Sequence, residues 1–312
     1  MTSPDPSPPP SAAPSVAVII PCHDEAATIA KVVADFRAAL PGAEIVVVDN
    51  VSRDGTAELA RAAGARVIEE TRKGKGFALL SGFRAAAPAD YYVMVDGDDT
   101  YPAEAVHELL AAAAGADMVI GTRLKTSADG AFPVGHGFGN RLFILLVRLL
   151  FGIRTRDLFS GYRLLTQRFL KTSPLIAQGF EVEAELSMQA LVNHFRVAEV
   201  PVFYRARPEE SASKLRTFRD GTRILIAILA FFRDYRPLTF FGTLALGLLL
   251  LSFLSGGVVI AEYLKTGQVL RVPMAILAAG LFILGALAMT CGVLLSSINR
   301  RAAELAALLS RR

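Results

Sequence analysis

The chain has 312 residues, a formal net charge of +4 and 53% hydrophobic residues, a high apolar content for a soluble enzyme. This length allows one large domain or two small ones. The two cysteines, Cys22 and Cys291, lie in different regions, which excludes a disulfide framework and a cysteine-based zinc site. Many of the basic residues flank apolar C-terminal runs, so the positive charge indicates a membrane surface rather than nucleic acid.

Residues 16–121 alternate between short apolar runs and helical patterns. The apolar runs predict strands at 16–20, 45–49, 66–68, 91–95 and 118–121. The intervening patterns predict helices at 26–40, 56–63, 76–87 and 103–114. Strands this apolar, separated by helices, indicate an α/β domain with a mostly parallel sheet covered on both faces. The preceding residues 1–15, rich in Pro, Ser and Ala and lacking the pattern of a signal peptide, are expected to form a disordered tail.

Polar clusters follow three of the predicted strands, where ligands bind in parallel sheets. They are residues 21–25, residues 49–54 and the turn Asp96-Gly97-Asp98-Asp99. Three carboxylates within four positions repel one another unless a cation lies between them. Their oxygens suit Mg²⁺ or Mn²⁺ shared with substrate phosphates, which favours a nucleotide-diphosphate ligand. The alternative is an acidic turn that leads into a helix at Pro102.

Two other nucleotide-binding patterns are absent. No G-x-G-x-x-G follows the first strand, so a dinucleotide oxidoreductase is disfavoured. The segment Gly74-Lys75-Gly76 lacks the residue order of a Walker A loop.

The C-terminal part predicts membrane association. Residues 237–261 and 272–299 contain no charged residue, and each run is long enough to cross a bilayer. They predict two transmembrane helices within 237–299, followed by a basic tail at 300–312. Residues 141–151 and 215–236 predict amphipathic helices in the membrane interface, with ordinary core helices as the alternative. Arginines flank both outer ends of the hairpin, so the positive-inside rule predicts a multi-pass protein of the cell membrane whose N-terminal domain and both termini are cytoplasmic.

Several motifs occur in an order that resembles a known family. They are Pro21-Cys22-His23-Asp24-Glu25, Val48-Asp49-Asn50-Val51-Ser52-Arg53-Asp54-Gly55-Thr56, Gly74-Lys75-Gly76, Asp96-Gly97-Asp98, Gly121-Thr122-Arg123, Asp157-Leu158-Phe159-Ser160-Gly161-Tyr162-Arg163, Gly179-Phe180-Glu181-Val182-Glu183 and Ser211-Ala212-Ser213-Lys214-Leu215. Over residues 16–234 the chain resembles family 2 glycosyltransferases of the GT-A fold. More narrowly, it resembles the polyprenyl-phosphate glycosyltransferases of the dolichol-phosphate mannose synthase-like group. The resemblance places the catalytic domain at 16–214.

The resemblance implies roles for individual residues. The implied catalytic residues are Asp96, Asp98, Arg123 and Lys214, of which Asp96 and Asp98 hold a divalent metal. The implied nucleotide-sugar-binding residues are Pro21, His23, Glu25, Asp49, Ser52, Lys75, Gly76, Asp96 and Gly97. The implied acceptor-phosphate residues are Arg123, His136, Asn140, Ser160, Arg163, Arg207, Ser213 and Lys214.

The chain departs from the family pattern at two places. Asp99 and Thr100 replace the commoner Leu-Gln, which leaves a third protein ligand open. Cys22-His23-Asp24 replaces the usual aromatic residue and Asn, which leaves the nucleotide base open.

Several of these residues also have a purely structural interpretation. Asp49 would simply end a strand, Asp54 would cap a helix, and Lys75 would be a solvated lysine. Glu181 and Glu183 lie at a predicted helix start, where carboxylates are favoured in any case.

The implied activity is that of a membrane-bound inverting glycosyltransferase. It would move a hexose or N-acetylhexosamine from a nucleotide-diphosphate sugar to undecaprenyl or dolichyl phosphate, with Mg²⁺ or Mn²⁺. GDP-mannose, UDP-glucose and UDP-N-acetylglucosamine remain open as donors, and an oligomer is possible. The alternatives are a transferase acting on another glycolipid or polysaccharide and a non-catalytic nucleotide-sugar-binding membrane protein. A processive synthase is disfavoured because the chain has no Trp for a Gln-x-x-Arg-Trp motif.

Overall fold

The computed structural model of the protein describes residues 14–126, 136–152, 155–205 and 217–309. The chain divides into two compact units, residues 1–225 and residues 226–312. The first unit contains the sheet and the helices that cover it. The second consists mainly of two long apolar helices.

A seven-stranded sheet forms the centre of the first unit, with strand order β3-β2-β1-β4-β6-β5-β7. The strands are β1 Val16–Cys22, β2 Glu44–Asp49, β3 Arg66–Glu69, β4 Tyr91–Met94, β5 Met118–Thr126, β6 Arg163–Thr166 and β7 Val197–Tyr204. The strand β6 pairs antiparallel with both β4 and β5, and the other pairs are parallel. The predicted α/β fold with a mostly parallel sheet is therefore confirmed.

Helices cover both faces of this sheet. They are α1 Ile29–Ala39, α2 Thr56–Ala62, α3 Lys75–Ala85, α4 Val106–Ala113, α6 Gln167–Thr172 and α7 Val182–Val192; a further helix, α5 His136–Phe151, lies between β5 and β6 in the chain. Alternate residues of each central strand enter opposite cores, as the two-residue period of a strand requires. Val18 and Ile20 pack with α1, α2 and α4 on one face, whereas Ala17 and Ile19 pack with α3, α6 and α7 on the other. The sheet is thus buried on both sides, which explains why its strands are almost wholly apolar.

The strand order creates a crevice at the carboxyl edge of the sheet. From β1 the chain moves outward through β2 and β3, then returns to place β4 on the other side of β1. Ligands bind in open α/β sheets at such a switch point, because the two following loops diverge there. His23 follows β1 and Asp96 follows β4, so these residues lie on the two sides of the crevice. Asp49 pairs in register with Cys22 and ends at the same edge.

The second unit contains the end of α8 Thr217–Tyr235 together with α9 Pro237–Thr266 and α10 Val272–Leu309. The helices α9 and α10 are long and apolar enough to cross a membrane. Only 17% and 11% of their most apolar stretches are buried, which differs from the buried helices of a soluble core. They pack closely where Gly285 faces Leu249 and where Gly292 faces Phe241. The predicted pair of apolar helices is present, and α10 continues without a break through residue 300.

Gly82 allows α3 to approach the sheet closely. A Cβ atom at this position would overlap Ile19 Cγ2 and would lie 2.9 Å from Val48 Cγ2. Ala usually stabilises an exposed helix relative to Gly. At position 82 the steric overlap should outweigh this gain, so Gly82→Ala should lower the free energy of unfolding by about 1–3 kcal/mol. We expect a lower thermal unfolding midpoint for the full-length variant in detergent. Gly115→Ala is the matched control, because nothing lies within 4 Å of its Cβ position; equal midpoints for the two variants would contradict the close approach.

Candidate active site

The acidic turn after β4 keeps its three carboxylates apart by giving each a different partner. Asp98 is 2% exposed and accepts hydrogen bonds from Thr100, at 2.6 Å from Oγ1 and 3.3 Å from the backbone nitrogen. Asp99 adopts a left-handed φ of 56° and faces Lys31 at 2.8 Å and Arg205 at 3.2 Å. Asp96 forms an ion pair with Lys75 instead. Asp99 therefore contacts two cations, Asp96 contacts one, and Asp98 is held by Thr100.

Close packing fixes the shape of this turn. A Cβ atom on Gly97 would lie 2.6 Å from Cys22 Sγ, so a larger residue would push the turn away from β1. Thr28 Oγ1 donates a hydrogen bond to the Gly97 carbonyl at 2.6 Å. The turn is thereby anchored to the start of α1 as well as to β1.

Asp96 lies between an ammonium group and a glycine backbone. Lys75 Nζ lies 2.6 Å from Asp96 Oδ1 and 2.5 Å from Glu183 Oε1. A Cβ atom on Gly161 would overlap the Asp96 carboxylate, which shows how closely the loop before β6 approaches it. Burial opposes protonation of Lys75, but the two carboxylates outweigh burial and raise the pKa of Lys75 above its ordinary value. Lys75 is therefore a buried cation directed at Asp96 rather than a solvated lysine.

The other side of the crevice presents two buried polar atoms without hydrogen-bond partners. Asp49 Oδ1 and His23 Nδ1 have none among the described residues. His23 Nε2 lies 2.9 Å from Lys73 Nζ and 3.4 Å from Asp24 Oδ2. Buried polar atoms normally find partners, so these two atoms are candidates for hydrogen bonds with a bound ligand.

The remaining residues predicted to bind the nucleotide shape the loops around this crevice. Pro21 is partly exposed at the end of β1, and Glu25 is 8% exposed with its backbone nitrogen donating to Thr56 Oγ1 at 2.9 Å. Ser52 Oγ accepts a hydrogen bond from the Asp24 nitrogen at 3.0 Å. Gly76 donates a backbone hydrogen bond to the Gln178 carbonyl at 3.0 Å.

Asn50 connects two of these loops, a role that the sequence did not reveal. Its Nδ2 donates to the carbonyls of Glu70 at 3.0 Å and Arg72 at 2.8 Å, and its Oδ1 accepts from the Gly74 nitrogen at 2.7 Å. The amide thus holds the start of α3, and with it Lys75, at a fixed distance from β2.

Arg123 and Asp157 form the centre of a second cluster, next to the acidic turn. Arg123 Nε and Nη2 each donate to the Asp157 carboxylate at 2.7 Å, and the guanidinium lies 5.6 Å from the Tyr204 ring centroid. Burial opposes ionisation of Asp157, but Arg123 outweighs burial and holds the pKa of Asp157 below its ordinary value. The Tyr101 hydroxyl accepts from the Gly161 nitrogen at 3.1 Å and so connects this cluster to the loop beside Asp96. Asp157, to which the sequence analysis assigned no role, thus holds Arg123 next to the acidic turn.

Two residues predicted to contact the acceptor lie in the interior instead. Arg163 is fully buried, and its guanidinium donates to the carbonyls of Ser160 and Leu158 and to Ser187 Oγ. Burial lowers the pKa of Arg163 to about 10, so it remains a cation at neutral pH. Ser160 is also fully buried and donates to the Gly121 carbonyl at 2.5 Å. This geometry assigns both residues to the support of the loop before β6 and not to direct phosphate contact.

Five further predicted residues fall outside the described side chains. Arg207, Ser213 and Lys214 lie outside the described residues. The backbone of α5 contains His136 and Asn140, but their side chains are outside the described part. Their roles at the acceptor phosphate stay predictions.

Glu183 is the second functional candidate whose environment the sequence did not reveal. It is the second residue of α7, where a carboxylate is favoured by the helix dipole. However, Glu183 is 3% exposed and Oε2 has no hydrogen-bond partner among the described residues. The sequence signal for a buried acid here was the G-F-E-V-E motif, in which Glu183 directly follows the apolar Val182.

The donor set fits a divalent metal that is shared with a substrate. In the parts of the chain that the structure describes, no three His, Cys, Asp or Glu side chains form a metal-binding group. Asp96 and Asp98 supply hard oxygen ligands, and the Lys75 ammonium beside Asp96 shows that this position attracts a cation. Mg²⁺-like ions are commonly held by one or two carboxylates and completed by phosphate oxygens and water. The residues therefore fit a metal that binds together with a diphosphate.

Known proteins match this chain in sequence and in fold. Residues 17–172 match the family model described as Glycosyl transferase family 2. The chain is 34% identical over 230 residues to Glycosyltransferase AglJ of Haloferax volcanii, covering 73% of this chain and 76% of that protein. It is also 34% identical over 211 residues to the Dolichyl-phosphate hexose transferase of the same organism, covering 67% of this chain and 90% of that protein.

One solved structure with a similar fold is glucosyl-3-phosphoglycerate synthase from Mycobacterium tuberculosis, in complex with Mn²⁺, UDP-glucose and phosphoglyceric acid. It superposes with a TM-score of 0.55 at 23% identity, over 70% of this chain and 80% of that chain. Together these matches confirm the family resemblance that the motifs predict.

Backbone strain is present at the rim of this site. Val51 lies between Asn50 and Ser52 with a left-handed φ of 64°, a conformation that β-branched residues avoid. Val51 is 39% exposed, so packing does not require its side chain. Val51→Asn should relieve this strain and raise the free energy of unfolding by about 1 kcal/mol, because Asn tolerates the left-handed region.

Denaturant unfolding of the full-length variant measures this effect. Val197→Asn is the control, because Val197 is similarly exposed but lies in the extended strand β7 and should lose stability on the same change. A loss of stability in Val51→Asn would show that the backbone there is not strained.

Proposed function

Because the chain belongs to glycosyl transferase family 2, we propose that it transfers a hexose or N-acetylhexosamine from a nucleotide-diphosphate sugar to a polyprenyl phosphate. The observation that carries this proposal is the position of Asp96. The same carboxylate contacts Lys75 on the nucleotide side and approaches Gly161 on the side of Arg123. A donor diphosphate and an anionic acceptor would therefore meet at Asp96.

The donor would occupy the crevice between β1 and β4. The buried atoms Asp49 Oδ1 and His23 Nδ1 are suited to hydrogen bonds with a base or a ribose. Lys75 would contact the diphosphate, since its ammonium is already held beside Asp96. The fold relative in complex with UDP-glucose and Mn²⁺ supports a nucleotide sugar and a divalent ion, and both UDP- and GDP-linked donors fit the proposal.

Asp96 and Asp98 would hold the metal together with the donor diphosphate. A divalent cation bound there would offset the negative charge that develops on the departing nucleoside diphosphate. Mg²⁺ and Mn²⁺ both suit this carboxylate chemistry.

The acceptor would be a lipid phosphate, which supports a mechanism without a strong general base. A phosphate monoester has a second pKa of about 6 and is largely a dianion at neutral pH. One phosphate oxygen attacks the anomeric carbon, and the bond from that carbon to the nucleoside diphosphate breaks on the opposite side. The products are a polyprenyl-phosphate-linked sugar of inverted configuration and a nucleoside diphosphate. Arg123, fixed by Asp157, would help to orient the acceptor phosphate.

Two features support the choice of a polyprenyl phosphate as acceptor. The helices α9 and α10 are long and apolar enough to reside in the bilayer that carries such a lipid. The relative named Dolichyl-phosphate hexose transferase aligns along 90% of its own length. The positive-inside rule favours a cytoplasmic location for the catalytic domain and for the arginine-rich ends of the hairpin.

The neighbouring acids Asp98 and Asp99 give a matched test of the proposal. Full-length protein in detergent is incubated with polyprenyl phosphate, Mg²⁺ or Mn²⁺ and radiolabelled UDP- and GDP-sugars. Label should move into the organic phase from one donor. Asp98→Asn should lower this rate by about 10²–10³-fold, because a metal-binding carboxylate is lost. Asp99→Asn should keep the rate within about threefold, because Asp99 contacts Lys31 and Arg205 outside the metal-binding pair.

Thermal unfolding of each variant separates lost chemistry from lost folding, and Asp96→Asn provides a second folded test if Asp98→Asn is unstable. Near-normal transfer by both Asp96→Asn and Asp98→Asn would refute the metal assignment. Absence of organic-phase label from every donor with the wild-type protein would refute the acceptor.

The proposed orientation is tested by cysteine labelling in intact cells. In a Cys291→Ala background, Gln268→Cys places a thiol in the turn between α9 and α10, and Arg301→Cys places one near the end of α10. A membrane-impermeant maleimide should label Gln268→Cys in intact cells and Arg301→Cys only after permeabilisation. The reverse pattern would invert the orientation, and labelling of both in intact cells would contradict two transmembrane helices.

A further inference from the structure

The Lys75 ammonium forms ion pairs with two acids, Asp96 and Glu183. Its Nζ lies 2.6 Å from Asp96 Oδ1 and 2.5 Å from Glu183 Oε1. The side chains of Lys75 and Glu183 are 13% and 4% exposed, so water screens these contacts weakly. The three groups come from three different elements: the start of α3, the turn after β4 and the start of α7.

The backbone positions of this triad are fixed from outside it. Gly74 donates to Asn50 Oδ1 at 2.7 Å, and Gly76 donates to the Gln178 carbonyl at 3.0 Å, so α3 begins at a set position. Glu185 accepts hydrogen bonds from the Ile176 nitrogen at 2.9 Å and the Ala177 nitrogen at 2.7 Å, which secures the segment before α7. The flexible four-carbon stem of Lys75 is therefore the part of the triad that is free to rearrange.

The charges of the triad do not balance. One ammonium serves two carboxylates, and Glu183 Oε2 is buried without a hydrogen-bond partner among the described residues. Arg163 is the other buried cation whose charge acts on Glu183, but its guanidinium donates to Ser160, Leu158 and Ser187. Glu183 can therefore accept a further hydrogen bond from the Lys75 ammonium through Oε2.

We propose that Glu183 is a positioning residue that takes over the Lys75 ammonium when Asp96 binds the divalent cation. This inference rests on the proposed function, in which Asp96 and Asp98 share a metal with the donor diphosphate. The Lys75 ammonium and the metal compete for the same carboxylate, because both are cations next to Asp96. With Glu183 present, Lys75 keeps a partner when it releases Asp96 and remains beside the donor site. Without Glu183, Asp96 is the one carboxylate among the described residues that still pairs with Lys75, so the competition favours the lysine.

Mn²⁺ binding to the full-length protein in detergent tests this directly. The electron paramagnetic resonance signal of free Mn²⁺ reports the affinity for the metal alone, independently of any transfer activity. Glu183→Gln should weaken Mn²⁺ binding about tenfold or more, since Lys75 then pairs with Asp96 alone. The double variant Lys75→Gln with Glu183→Gln should bind Mn²⁺ at least as tightly as the wild type, because the competing ammonium is gone.

Two single variants separate positioning from a general effect of negative charge. Glu183→Asp keeps the charge but shortens the side chain by one methylene, so the carboxylate no longer reaches Lys75 at its present distance. It should weaken Mn²⁺ binding several-fold, whereas a general charge effect would leave the affinity unchanged. Glu44→Gln removes a partly buried charge at the start of β2, at the opposite end of that strand from Asp49, without touching the triad, and should leave Mn²⁺ affinity within about twofold.

The outcomes decide between the inference and its alternatives. Wild-type Mn²⁺ affinity in Glu183→Gln or in Glu183→Asp would overturn it and would leave Glu183 as a stabilising ion-pair partner. If Glu183→Gln does not fold, the double variant has no unpaired charge in the triad and carries the test; weaker Mn²⁺ binding there than in the wild type would overturn the inference. If the variants bind Mn²⁺ as expected but the wild-type protein transfers no sugar, the proposed acceptor or donor would be refuted instead.

Discussion

Repulsion among the carboxylates after β4 is the constraint that organises the site. Asp96, Asp98 and Asp99 follow one strand within four positions, and like charges this close are unfavourable without compensation. The fold separates them by a left-handed residue at Asp99 and gives each acid its own partner. Lys31 is shared between Asp99 and Asp35, but Arg205 adds a second cation beside Asp99. At Asp96 a single ammonium, that of Lys75, serves two acids, Asp96 and Glu183. The divalent ion that we propose at this turn would therefore bind where one cation is shared between two acids.

The topology of the sheet explains why so many elements contribute to this one position. β4 has a parallel neighbour, β1, on one side and an antiparallel neighbour, β6, on the other. The parallel side brings the end of β1 to the crevice, and the antiparallel side brings the loop that precedes β6. Gly161 of that loop approaches Asp96 so closely that no side chain would fit. The Lys75–Glu183 pair and the loop beside the Arg123–Asp157 cluster thus meet at Asp96, because the antiparallel strand β6 lies beside β4.

The sequence predicted the parallel half of this architecture well and the rest less well. Five apolar runs predicted β1 to β5, because strands buried on both faces require nearly continuous apolar residues. The strands β6 and β7 were not predicted. β6 has only two apolar residues, Leu164 and Leu165, between Arg163 and Thr166, and β7 is mostly half-exposed and contains Pro201. The motif around Asp96 indicated its chemistry, but the burial of Arg163 and the pairing of Glu183 with Lys75 depend on tertiary contacts that residue spacing does not encode.

The position of Arg123 illustrates how the fold prepares a cation for an anionic substrate. A free guanidinium would lose side-chain entropy on binding phosphate, whereas the two hydrogen bonds that Arg123 donates to Asp157 have already fixed the plane of its guanidinium. The same pairing partly neutralises Arg123, so attraction for phosphate is reduced while orientation is gained. Lys75 follows the same logic beside Asp96 and Glu183. In a site where both proposed substrates are anions, cations held by carboxylates would align the substrates without binding the product diphosphate so tightly that its release becomes slow.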